Sequence, residues 1–463
     1  MTSRVPSWLQ GELRRRLASA IGAWPGNRLW LVTFPAAPGD PEALWDALPD
    51  EPAVLWEPPE SATWAGIGAA RVFRGQGPDR FAAVQRDVAR ELDAAEPREL
   101  VGGAGAEPAV FGGAAFTPGG ASGGPWGGFG DACFLLPRWT YRLGGGEAIL
   151  TLALAPGAPP AHRLMEEADL LARALEPAAP AAESPDLEGS LGEEDVAAWY
   201  TQVAAARDAI AASRLHKVVL ARRLTVGMSA PPVPAALLRR LRSGDDGLFR
   251  FGFRLARGAF VGASPELLVE RRGETVRSEA LAASVPRPLD AGAGSEQELA
   301  ASLLGDPKQR WEHALVVDAV RRRLAPLCRC IELPDAPQVR ALRHLLHLST
   351  PIRGRLVAPV PLLELASRLH PTPAVGGEPT DAALAFLAKH EPTARGWFAG
   401  PVGRVLAGGD GELAVALRSA LLHEREAHVY AGAGIVAGSD ASLELEETRA
   451  KARTCLAALG VRA

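Results

Sequence analysis

Cysteine is scarce in this sequence. The four present in 463 residues, Cys133, Cys328, Cys330 and Cys455, are too few for a disulfide scaffold in a chain of this length. Cys328 and Cys330 form the one close pair, and no second pair lies nearby to complete a metal site. Free thiols in a reducing cytoplasm are the expectation. Long apolar runs are missing too: no stretch reaches the roughly 18 uncharged apolar residues of a membrane span. The nearest imitation of a signal peptide, Arg14 to Arg16 followed by residues 17–24, is short and runs into another strand-like segment, so it reads as mature sequence. An excess of charge of one sign is absent as well. Lys+Arg 50 against Asp+Glu 54 leaves −4, which does not supply the basic field of a nucleic-acid binder. Neither a GxxxxGKS/T loop nor a strand-GxGxxG-helix context occurs, so nothing points to a phosphate cradle. There is no internal repeat.

What is present is close to the globular average, with 47% hydrophobic and 22% charged residues in a length that suits two to four domain-sized units. Residues 1–178 alternate strand-like segments (28–34, 111–116, 133–143 and 147–154) with Gly/Pro-rich connections, including a long loop over 102–130. Residues 179–190 are expected to be a linker, because Pro, Ser and acidic residues without periodicity bury little. In 191–463 the pattern sharpens. Val196, Trp199, Val203, Ala206 and Ile210 form one apolar helical stripe, and 217–226 then switches to a β-branched strand. LFRFGFRL (248–255) alternates so that Phe249, Phe251 and Phe253 share one face. Further strands are predicted at 259–263, 267–272, 274–281, 411–422 and 428–436, and helices at 308–326, 379–389 and 441–458. Long strands mixed with scattered amphipathic helices, without a βαβ rhythm, predict an α+β fold with large antiparallel β-sheets.

Several residues could carry chemistry. Lys217 opens a strand before the apolar run VVLA; on a buried sheet face a lysine snorkels, pairs with an acid or loses its proton. Glu266 sits in the Gly/Ser/Pro break of GASPELLV (262–269), where apolar neighbours would favour a general acid, although solvated turn glutamates are common. Glu312 lies in the second turn of the 308–326 helix. Glu444, Glu447 and Lys451 fall on one face of the last helix. They fit a surface Glu-to-Lys pair as well as they fit Mg²⁺ ligands, and sequence spacing does not choose. Arg418, inside the apolar run AVALRSA, needs a partner for its charge.

KVVLAR (217–222), GASPELL (262–268), KQRWEHALVVDAV (308–320), HL followed by IRGRL (347–356), LHPTPAVGG (369–377), RGWFAGPVG (395–403), AVALRSA (414–420), YAGAGIVAGSD (430–440) and ELEETRAKA (444–452) occur in the order found in the chorismate-utilising enzymes. The chain resembles that family over nearly all of 193–463, and within it the isochorismate synthases most. The resemblance implies an α+β fold of large antiparallel β-sheets packed as a sandwich with flanking helices, a Mg²⁺-dependent site and chorismate as substrate. It implies Lys217 as the base that activates water for attack at C2 and Glu266 as the acid that protonates the departing C4 hydroxyl. Glu312 and Glu447 match Mg²⁺ ligands, with Glu444 as an auxiliary acid. Ser284, His347, Arg418, Lys451 and the backbone at Gly432 and Gly434 match groups around the substrate. Ala374 and Phe398 match positions where aminating or salicylate-forming relatives carry threonine and tyrosine, so a product released as isochorismate is expected.

Salicylate synthesis from the same site is the enzymatic alternative, and a chorismate-binding protein without turnover the non-enzymatic one. The family usually has Leu-Ala-Gly followed by Thr or Ser where this chain reads Leu281-Ala282-Ala283-Ser284; if that glycine needs a positive φ, Ala283 is strained. Menaquinone synthesis is the preferred pathway over catecholate siderophore synthesis, a monomer or weak homodimer the expected state, and the cytoplasm the expected compartment.

Overall fold

The computed structural model describes residues 6–59, 61–101, 107–176, 189–192, 194–242, 247–256, 258–287 and 293–461. The strands that matter for the site are β1 (Ala53–Glu57), β2 (Thr63–Gly75), β3 (Ala109–Ala114), β4 (Ala132–Gly144), β5 (Lys217–Met228), β6 (Phe249–Leu255), β7 (Gly258–Ser264), β8 (Leu267–Arg272), β9 (Thr275–Pro286), β10 (Leu345–Leu356), β11 (Pro401–Leu406), β12 (Gly411–Val415), β13 (Ser419–His423) and β14 (Glu426–Ile435). Helices α1 (Val196–Ala211), α2 (Pro307–Leu324) and α3 (Ala441–Ala458) flank them. Asp306 and Asp440 cap α2 and α3, each carboxylate accepting two backbone N–H groups of the first turn, which satisfies donors that a helix start otherwise leaves open.

The sheet divides into two arms. The long pairing of β2 with β4 runs from Thr63 opposite Leu143 to Gly75 opposite Ala132, with a register shift between Ala69 and Arg71. On one side of this seam the order continues through β1, β6, β7, β13, β14 and β5. On the other it continues from β4 through β3, β11, β12, β8, β9 and β10. All these pairings are antiparallel; among the described residues only Trp30–Pro35 with Glu96–Glu99 is parallel. Apolar side chains of both arms, among them Phe111, Phe251, Phe253, Leu413 and Val415, form one core cluster. Phe249, Phe251 and Phe253 therefore share a face, as the alternation predicts. The large antiparallel sheets with flanking helices are the expected α+β architecture.

Strand pairing crosses the expected linker. β1 pairs with β6 and β3 with β11, so residues before and after it share one sheet system. Positions 179–188 lie outside the described residues, and Gly189–Leu191 pairs with β5 as a short strand. The 102–130 stretch, expected as a loop, holds β3, while 102–106 lie outside the described residues. Two expectations are corrected. The amino-terminal third also contains β2 and helices Glu12–Ala23, Arg80–Asp93 and Ala161–Ala174; in the first of these helices only Leu17 and Ile21 are buried, too sparse a stripe to read. The single strand predicted over 411–422 is two, β12 and β13, broken where Arg418 adopts φ 48°.

Candidate active site

That break has a cause in the topology. β12 belongs to one arm and β13 to the other, so the chain changes sheets across Ala416–Arg418. It does so a second time between β7 and β8, across Pro265 and Glu266. The two crossovers are tied together: Ala263 N donates to Arg418 O at 3.2 Å and Val415 N to Glu266 O at 3.0 Å. Crossing between sheets forces side chains out of the strand alternation. Here it delivers Glu266 and Arg418 to one cavity between the arms.

Twelve of the thirteen residues singled out from sequence line that cavity: Lys217, Glu266, Ser284, Glu312, His347, Ala374, Phe398, Arg418, Gly432, Gly434, Glu447 and Lys451. Glu444 does not line it and is buried beside Glu447 on α3.

Lys217, at the start of β5, is 1% exposed, and its Nζ lies 2.8 Å from Glu312 Oε1 on α2. A buried ammonium needs such a partner. β14 makes room for the pair: a Cβ on Gly434 would sit 2.6 Å from Glu312 Oε1 and 3.0 Å from Lys217 Cε. The neighbouring Gly432 O accepts from Lys451 Nζ at 2.9 Å, and the same ammonium lies 2.6 Å from Glu447 Oε1. The Glu-to-Lys pair that α3 spacing allows thus forms, facing the cavity.

β9 and β10 shape the opposite wall. Their register shifts between Ala282 and Ser284, a bulge whose extra residue, Ala283, has φ 64°. The strained conformation raised by the sequence is therefore present. The bulge turns Ser284 toward α3, where its hydroxyl donates to Glu447 Oε1 at 2.7 Å. Opposite Ser284 stands His347. Burial and the adjacent Arg418 charge push its imidazole far below the ordinary range, so it is neutral. Its Nε2 accepts from Arg418 Nη2 at 3.1 Å, since a guanidinium has no acceptor.

Glu266 is 2% exposed. Burial, then the charge of Glu279, pushes its carboxyl up to about 8 against the pull of Lys217 and Lys451; it is an acid that keeps its proton near neutrality. The glutamates of α3 behave differently. Burial and then the Glu447 charge push Glu444 up to about 7. Burial also opposes ionisation of Glu447, but Lys451 and the Ser284 hydroxyl hold its carboxyl below the usual range. Among the described residues, no three His, Cys, Asp or Glu side chains converge on one point. The donor set still fits Mg²⁺, which takes one or two carboxylates and completes its shell with waters and substrate oxygens; Glu312 and Glu447 open into the same cavity.

Sequence reasoning missed the residues that brace the wall. Phe398 stacks on Tyr430 at 5.2 Å between centroids, and Tyr430 OH accepts from Trp126 Nε1 at 3.1 Å, a contact from the amino-terminal third. Arg395 donates to Val375 O at 2.8 Å, Val219 O at 2.6 Å and Glu391 Oε2 at 2.8 Å, fastening the segment that carries Ala374 to β5. One compositional signal was available. Only four of the 50 basic residues are lysines; two of them line the cavity, and Lys308 lies 3.6 Å from Glu444. Arginine does not give up its proton in proteins, whereas lysine does.

The sequence profile of a family described as "Chorismate binding enzyme" matches residues 18–460. The salicylate biosynthesis isochorismate synthase of Pseudomonas aeruginosa is 35% identical over an alignment covering 98% of this chain and 95% of that protein. The isochorismate synthase MenF of Bacillus subtilis is 32% identical, with 88% and 87% covered. The menaquinone-specific isochorismate synthase from Escherichia coli has a similar solved structure, with a TM-score of 0.79 at 27% identity over 97% of this chain and all of that one.

Proposed function

The chain belongs to the chorismate binding enzyme family, and we propose that it is an isochorismate synthase converting chorismate to isochorismate with Mg²⁺. The observation that carries this reading is that Lys217 and Glu266, both buried, open into one cavity. Lys217 Nζ, acting as the free amine, takes a proton from water as its oxygen bonds to C2 of the ring and so becomes the ammonium that pairs with Glu312. The ring double bonds shift, the C4–O bond breaks, and Glu266 gives its proton to the departing hydroxide. One water enters and one leaves. Proton transfer by each group contributes roughly 10²–10⁴-fold.

Chorismate is a dianion. Arg418, oriented by neutral His347, supplies a fork for one carboxylate, and Lys451 supplies a second positive charge. Mg²⁺ held by Glu312 and Glu447, with Glu444 behind them, would offset the negative field of the glutamates and polarise the substrate's oxygens. Ser284 holds Glu447, Gly434 gives space to the Lys217 side chain, and Gly432 anchors Lys451. Ala374 and Phe398 give the wall no hydroxyl, which favours release of isochorismate without pyruvate elimination.

Full-length likeness to the menaquinone-specific enzyme supports menaquinone formation as the pathway, tested by complementation of a strain lacking that activity. Free cysteines support the cytoplasm as its compartment.

Purified protein, chorismate and Mg²⁺, with and without chelator, resolved by chromatography, test the function. Isochorismate formed only with Mg²⁺ is expected. Salicylate without an added lyase would favour the salicylate-forming reading, for which the relative named for salicylate biosynthesis is the motive. Chorismate bound but unchanged would leave a binding protein.

A further inference from the structure

Behind the Pro265–Glu266 corner lies a second group of charges that the reaction above does not use. Arg340, on the short strand Gln338–Ala341, directs one guanidinium nitrogen to Pro265 O at 2.8 Å and to Glu279 Oε2 at 3.0 Å. Its other terminal nitrogen donates to Gly247 O at 2.7 Å. Glu279, on β9, also accepts from Ser349 Oγ of β10 at 2.6 Å. Glu279, Arg340 and Ser349 do not line the substrate cavity; Glu279 and Arg340 border a separate cleft with Glu270, Arg277 and Glu412. The bridging nitrogen fixes the Glu279 carboxylate one residue from the backbone of Glu266.

An acid that surrenders its proton in every turnover has to regain it, and Glu266 faces two ammonium groups that favour its ionised form. We propose that Glu279, clamped by Arg340 and Ser349 behind this corner, is a positioning residue whose fixed negative charge keeps Glu266 in the acid form required by the departing hydroxyl. The inference rests on the isochorismate synthase reading for what Glu266 does. The charged groups acting on Glu266 are Glu279 from β9, Lys217 from β5 and Lys451 from α3, and only Glu279 among them opposes ionisation. Arg340 offsets it only in part: the bridging nitrogen is shared with Pro265 O, and the other terminal nitrogen is turned to Gly247 O. Were the cluster only a cross-strand brace, its loss would lower stability and slow turnover at every pH alike.

The test titrates the Glu266 carboxyl by infrared difference spectroscopy in the full chain without chorismate, the band being assigned by its loss in Glu266→Gln. In Glu279→Gln, which keeps an acceptor for Arg340 and Ser349, the midpoint falls by about one pH unit, and the alkaline limb of kcat/KM moves down with it. Glu279→Asp restores both. Arg340→Gln strips the counter-charge and moves the midpoint up, an opposite shift that keeps the idea testable if the first variant does not fold. An unmoved midpoint in folded Glu279→Gln, or no rise in Arg340→Gln, overturns the proposal. Because the infrared midpoint needs no turnover, failure of the isochorismate reading would appear separately, as missing product with the coupling intact.

Discussion

Lys217 Nζ and Glu312 Oε1 stand 2.8 Å apart, so the base assigned to water activation is paired with a carboxylate assigned to the metal. In the proposed reading the same carboxylate serves a buried charge and a metal site. Lys217→Ala is expected to lower kcat by about 10²–10⁴-fold while chorismate still binds in equilibrium measurements. Lys217→Arg keeps the charge and the pairing with Glu312 but does not accept a proton, and it is expected to fall as far. Substantial activity in the arginine variant would reduce Lys217 to an electrostatic partner.

Glu266 gives the pH dependence a sign. Its carboxyl is pushed up to about 8, and the protonated form is the one proposed to act, so kcat/KM should fall as pH rises through about 8. Stability follows the same group. Between the ordinary 4.5 and about 8, the folded state holds a proton that the unfolded state has lost, so its contribution is full below that window and declines through it by about 1.4 kcal/mol per pH unit. Glu266→Gln removes the decline. Denaturant unfolding of both proteins at pH 5 and pH 8 should show the variant's relative stability rising with pH.

Metal dependence separates the glutamates. Glu312→Gln and Glu447→Gln each remove a proposed ligand and should raise the Mg²⁺ concentration for half-maximal activity at least about tenfold. Glu444→Gln, one step behind, should have a smaller effect. Equal Mg²⁺ curves for all three variants and the parent would detach these residues from the metal.

The bulge at Ala283 offers a gain. A non-glycine residue at φ 64° is strained, and glycine relieves that at some expense of backbone entropy. Ala283→Gly should stabilise the protein by up to about 1 kcal/mol, read as a shift in the denaturant midpoint. A loss of stability would mean that the methyl group's packing outweighs the strain.

The local anomalies of the sequence were legible because each breaks a simple rule. Lys217 interrupts an apolar strand, Glu266 occupies a Gly/Ser/Pro corner, and Arg418 sits within an aliphatic run. The strands β5 and β6 were equally readable, β5 from its β-branched residues and β6 from its alternating phenylalanines, although β6 is buried on both faces. What pairing at long range decides was not. That Glu312 and Glu447 open into one cavity depends on α2 and α3 docking over β9 and β14. The break at Arg418 exists because β12 and β13 pair with strands of different arms. Nothing near Trp126 announces that it will brace Tyr430 from 304 residues away.

Turnover of chorismate in ¹⁸O-labelled water, with isochorismate isolated and analysed by mass spectrometry, tests the central claim most directly. The proposed displacement places one labelled oxygen at C2 and releases the original C4 oxygen to solvent. Isochorismate carrying no label, or chorismate recovered unchanged in the presence of Mg²⁺, would contradict it.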